Sequence, residues 1–206
     1  MEVFKMRILS LQNASSRLVL VLAFSALLVL AACSINVKKD KTGTEKKVDI
    51  ETPVGGIHVS KDADVRDVGL PVYPGARVKE KAENGEEKSA NVNISSGLFG
   101  LKVVAIEYQS DDPPEKLIAF YKDQLKKYGN VLECHTNKHG GDVEINKTGH
   151  DSEGPKDVKC PSDNTGNTVE LKVGTEDNQH IVAIEPRGKG ADFALVFVQT
   201  RGKETI

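Results

Sequence analysis

The sequence predicts an α+β domain, an antiparallel sheet of six or seven strands with one amphipathic helix packed on it. Three observations carry that expectation. Short apolar stretches, several alternating apolar with polar, recur from residue 48 to near the end, separated by turns rich in Gly, Pro, Asn and Asp. One segment, from Pro113 to Gly129, repeats instead at helical spacing behind start signals. No self-similar period divides the chain, and about 140 residues form one core more readily than two, so residues 48–206 are expected as a single domain.

The N-terminus has a different composition. Leu18 to Leu30 is an apolar run of 13 residues broken only by Ser25. A membrane-spanning helix needs about 20 such residues, whereas this length suits the core of a secretory signal. Lys5, Arg7 and Arg17 make the start basic against Glu2, and small residues close the run before Cys33. Leu30-Ala31-Ala32-Cys33 resembles the lipobox of bacterial lipoproteins. That resemblance implies removal of residues 1–32 as a signal peptide and attachment of fatty acids, palmitate among them, to Cys33. It makes the membrane a partner through those acyl chains. Ser34, in place of the aspartate that retains such proteins at the inner membrane, implies an outer membrane facing the periplasm where the source has one. Two or three chains, at about 0.8 kcal/mol per buried methylene, hold far more firmly than one.

Of the 28 Lys and Arg, three precede Cys33, and of the 30 Asp and Glu, one does; 25 against 29 leaves the mature chain near −4. That balance argues against a nucleic-acid partner, which needs a basic patch. Residues 33–47 carry five lysines and few large apolar side chains. Little can be buried there to offset ordering, so the lipidated cysteine is expected to lead into a flexible tether. Its lysines are either a solvated spacer or an attraction to anionic headgroups.

The domain follows in order. Val48 to Val59 splits around Pro53 and Gly55-Gly56 into two short strands, an edge hairpin. Tyr73-Pro74-Gly75-Ala76 suits a type II turn, Pro74 fixing the second position and Gly75 accepting the positive φ of the third. A strand from Arg77 to Ala82, a charged loop over 83–88, and strands over Ala90–Ile94 and Leu101–Tyr108 come next. Asp112 is expected to cap the helix, with Pro113 in the first position and Glu115 at capping-box spacing. Leu117, Ile118, Tyr121 and Leu125 form one apolar stripe, and Gly129 ends the helix behind a cluster of lysines. Val131–His135 reads as a strand, Thr136–Thr165 as a long polar excursion. Strands over Thr168–Val173, Ile181–Ile184 and Phe193–Val198 finish the chain, the last central because it is apolar on both faces.

Leu70-Pro-Val-Tyr-Pro-Gly-Ala76, with Phe120-Tyr121 and Leu125 downstream, resembles a domain of uncharacterised bacterial secreted proteins and lipoproteins. The likeness runs from Gly69 to Gly129 and implies a helix packed on an antiparallel sheet. It brings no catalytic residue with it.

Chemistry-bearing residues are sparse. Cys134 and Cys160 bracket the polar excursion and, outside the cytoplasm, are candidates for a disulfide. With His135, His139 and His150 they also offer ligands for zinc, although no Cys-x-x-Cys or His-Glu-x-x-His spacing is present. Unrelated thiols are the third reading. Gly-x-Ser-x-Gly and the phosphate-loop pattern are both missing. Asp111-Asp112 and Glu86-Glu87 read as caps and solvated charges, and His58 and His180 as isolated surface residues. The expected function is therefore a lipid-anchored cell-envelope protein with a binding or structural role, an envelope protein being the candidate partner; it is not expected to be an enzyme, and no catalytic residue, metal or cofactor is assigned. The rival is an envelope enzyme, a metal-dependent hydrolase built on residues 134–160.

Overall fold

The computed structural model describes residues 33–39, 45–79, 89–97, 99–137, 156–162 and 164–201. Ten strands and two helices follow one another: β1 (Ser34–Lys39), β2 (Glu45–Thr52), β3 (Gly55–Ser60), α1 (Val65–Val68), β4 (Arg77–Val78), β5 (Ser89–Ser96), β6 (Gly100–Ser110), α2 (Pro114–Leu125), β7 (Leu132–Thr136), β8 (Thr168–Thr175), β9 (Asn178–Arg187) and β10 (Gly190–Arg201). All strands join one antiparallel sheet in the order β1-β2-β3-β5-β6-β10-β9-β8-β7. The two-residue β4 pairs with Tyr108 and Gln109 of β6, just beyond where β5 stops. The fold is thus dominated by its sheet.

Ten strands stand where six or seven were expected. The surplus is at the N-terminal side, where the 48–59 hairpin is joined to β5 and carries β1 outside it. Ser34–Lys39, expected within a tether, is a paired strand: Ile35 lies opposite Ile50 and Val37 opposite Val48. An edge strand draws on its backbone ladder and cross-strand pairs, so low apolar content does not prevent it. The expected loop over 83–88 and most of the 136–165 excursion, His139 and His150 included, lie outside the described residues.

From β6 the chain crosses through α2 to β7 at the far edge, then returns through β8, β9 and β10 to pair with β6. That crossover lays α2 over the sheet. Leu117, Tyr121 and Leu125 are fully buried against Val169, Leu171, Val182, Ile184, Phe193 and Leu195. Burying each leucine is worth about 1.5–3 kcal/mol. β10 is central, as its two apolar faces imply: Phe193 and Leu195 face α2, while Ala194, Val196 and Val198 join a second cluster with Ile181 and Ala183.

The cap of α2 departs from expectation. Its N-cap is Pro113, with no side-chain cap bond, and Pro114 takes the first helical position. Asp112 is drawn elsewhere, accepting from Tyr73 Oη at 2.9 Å and Lys116 Nζ at 2.7 Å. The short α1 was not expected, though its cap was readable: the Asp64 carboxylate accepts from Arg66 N at 2.9 Å, and Gly69 closes the turn at φ +75°.

Candidate functional site

The two halves of the Leu70–Ala76 and Phe120–Tyr121 pattern meet in space. Ala76 N donates to Tyr73 O at 3.0 Å and Gly75 has φ +79°, which is the expected type II turn. The Tyr121 hydroxyl reaches from α2 into this loop, accepting from Tyr73 N at 3.0 Å and donating to Pro71 O at 3.3 Å. Burial pushes the Tyr121 hydroxyl well above its usual range, so it stays protonated and holds both contacts. Tyr73 and Phe120 pack edge to face at 5.2 Å. The pattern therefore works as a clasp between loop and helix, and every polar group in it is spent on the backbone or on Asp112.

Beside the clasp, an open cleft of about 340 Å³ is lined by Arg66, Gly69, Tyr128, Asn178, His180 and Phe197, among others. His180 was expected on the surface but is 9% exposed. It shares the parity of Val182 and Ile184 on β9, which turns it toward the helical layer. Its ring stacks on Tyr128 at 3.8 Å and leans on Phe197 at 4.9 Å. Desolvation, then the nearby Lys127 charge, pulls its pKa down to about 4, against a bond to the Val68 backbone. The imidazole is neutral at physiological pH. Lys127 Nζ and Tyr128 Oη both donate to Gly69 O, at 3.2 and 2.6 Å. Arg66 is held by Asp64, whose carboxyl it lowers to about 2. The cleft so offers an aromatic floor and the Asn178 amide, and the carboxylate in its lining, Asp67, is paired with Lys102 at 3.6 Å.

The other sequence candidates separate. Cys134 and Cys160 are joined at disulfide geometry, with Cα atoms 5.3 Å apart, tying β7 to the segment over 156–162. That pairing takes both sulfurs out of the proposed zinc set. His135 is half-buried beside Glu133, and among the described residues no three His, Cys, Asp or Glu side chains gather as a metal site. His58 is also not alone: its Nδ1 lies 2.9 Å from Asp49 and its Nε2 3.2 Å from Glu51, on the face of β2 and β3. Asp111 pairs with Arg77 at 3.1 Å. Cys33 is exposed and unpaired, one residue ahead of β1. Among the described residues no helix is long and apolar enough to cross a membrane.

Sequence reasoning missed the His180 cleft because its walls come from α1, β8, β9, β10 and the turn after α2. The available signal was the parity of His180 with its apolar neighbours. Compared with known proteins, the chain matches no family model, no curated protein and no solved structure.

Proposed function

We propose that this chain is a lipid-anchored protein of the cell envelope with a binding or structural role, seated on the outer membrane and facing the periplasm where the source has one. The observation that carries the reading is Leu30-Ala31-Ala32-Cys33 behind a basic start and a 13-residue apolar run. The exposed position of Cys33, unpaired and ahead of the first strand, supports it, because an acylated sulfur there meets no packing obstacle. Binding rather than catalysis is favoured by the His180 cleft, whose polar groups are neutral or already engaged.

Cells expressing the parent or Cys33→Ala, grown with a clickable fatty acid, test the anchor. The parent is expected to take up label and to sediment with membranes, while Cys33→Ala takes up none and keeps residues 1–32. A Cys33→Ala protein labelled and processed like the parent refutes the proposal.

A further inference from the structure

β1 begins at Ser34, so Cys33 has no slack between itself and the sheet. Register shows what stands beside it. Ser34 pairs with Glu51, Thr52 with Gly55, and Gly55 with Ser96, whose backbone N donates to Phe99 O at 2.7 Å. The end of the sheet that holds Cys33 therefore also holds the β2–β3 tip at Val54 and the β5–β6 tip at Phe99. Val54 is 78% exposed and Phe99 45%.

Side chains on successive strands extend that apolar end into a face. Ile35, Ile50, Ile57, Ile94 and Leu101 form one cross-strand row from β1 to β6. Alternation carried two residues back from Ile35 places Cys33 on the same face. Exposure is greatest near the cysteine: Ile35 is 69% exposed, whereas Val196 and Val198, in the centre of that face, are 1%. Of the seven large apolar side chains exposed among the described residues, five (Ile35, Val37, Val54, Ile57 and Phe99) belong to this region. Val78 and Tyr128 lie elsewhere.

We propose that this end of the sheet is a membrane-contact rim: Val54 and Phe99, with the open end of the Ile35 row, lie in the boundary between headgroups and acyl chains of the bilayer that anchors Cys33. The inference rests on acylation of Cys33. Without slack, acyl chains on that sulfur draw the two hairpin tips down to the lipid surface, where apolar side chains are stable at a depth of about 5–10 Å. The charges at this end include Glu51, Asp177 and Arg201 and are mixed in sign, so zwitterionic lipid suffices. The rim fixes the protein's orientation as well as its location, which an anchor on a tether would not do.

The full, processed protein is the material for the test, carrying Val54→Trp or Phe99→Trp, with Val78→Trp for comparison. The chain has no tryptophan of its own, and all three positions are exposed, so each variant keeps its packing. In phosphatidylcholine vesicles, bromine on the acyl chains is expected to quench the two tip tryptophans several-fold more than the one at position 78, with emission shifted to the blue. Equal quenching at all three positions overturns the proposal. So does tip shielding from brominated lipid and aqueous acrylamide alike that grows with protein density, since a second copy is then the occupant. Intact mass separates the two readings. Acylated Cys33 with unquenched tips refutes the rim alone; unmodified Cys33 with quenched tips refutes the anchor alone.

Discussion

Tyr121→Phe isolates the clasp between the Tyr73 loop and α2. The substitution keeps the ring, and with it the contacts to Phe120 at 5.0 Å and Phe193 at 5.6 Å, and removes only the hydroxyl. Two hydrogen bonds go, one from Tyr73 N at 3.0 Å and one to Pro71 O at 3.3 Å. The longer is the weaker. The larger loss is the Tyr73 N–H, left without its acceptor beside a fully buried side chain; an unpaired buried donor costs about 1–3 kcal/mol. A destabilisation of about 2 kcal/mol is expected, or about 4–8 °C in Tm for a chain of this size. Urea unfolding of the mature protein measures it, with an unchanged m-value showing that the unfolded state is the same. Tyr128→Phe is the comparison, because Gly69 O keeps Lys127 Nζ when the Tyr128 hydroxyl is lost. It should cost less than about 1 kcal/mol. Tyr121→Phe within about 0.5 kcal/mol of the parent, or no worse than Tyr128→Phe, refutes the clasp.

Replacing both members of the pair, Cys134→Ala with Cys160→Ala, opens a loop with a sequence separation of 26 and should cost about 3.5 kcal/mol in the chain-entropy picture, read by urea unfolding with and without reductant. Reductant that destabilises parent and double variant equally would contradict the bond. His180 supplies the pH dependence. Its folded pKa, about 4, lies below the unfolded value near 6.5, so the unfolded state binds the extra proton and stability falls as pH drops through that window. The loss approaches about 3 kcal/mol at most, is absent above pH 6.5, and should flatten in His180→Gln. An unchanged slope between pH 6.5 and 4 in that variant would show that other groups carry it.

How much of this was legible in the sequence depends on the distance over which each feature is decided. Local patterns were readable. The Tyr73–Ala76 turn, the α2 stripe and the central position of β10 follow from residues within a few places of one another. Features decided by a distant partner were not. Asp112 had a helix start to cap, yet Tyr73, 39 residues away, donates to it instead. Lys38, Lys39 and Lys41 hid a strand, because composition weighs charge whereas the alternation of Ile35 and Val37 with Asn36 and Lys38 decides the face. His180 was read singly when its parity with Val182 and Ile184 already placed it in the core. The expectation for Cys33 comes from residues 18–33 alone, whereas nothing local tells that Val54 and Phe99 stand at the same end of the sheet.

Register is the common cause of the fold and its proposed orientation. Val37, Val48, Val59, Val92, Val103 and Val198 are consecutive partners across six strands, an unbroken valine row beside the Ile35 row. One residue along, the other face carries Asn36, Asp49, His58, Asn93 and Lys102, with His58 bonded to Asp49 inside that row. Slipping any of these strands by one residue would set polar side chains into the valine row and valines among the charges, so the two-sided pattern holds every pairing from β1 to β6 in place. The helices cannot account for the apolar side, because the core they cover lies on the opposite face of β6, β10, β9 and β8. Among the described residues only the end of that apolar face beside Cys33 is open, with Ile35 69% exposed against 1% for Val198, and the lipid to which that cysteine would be joined is the natural cover for that end.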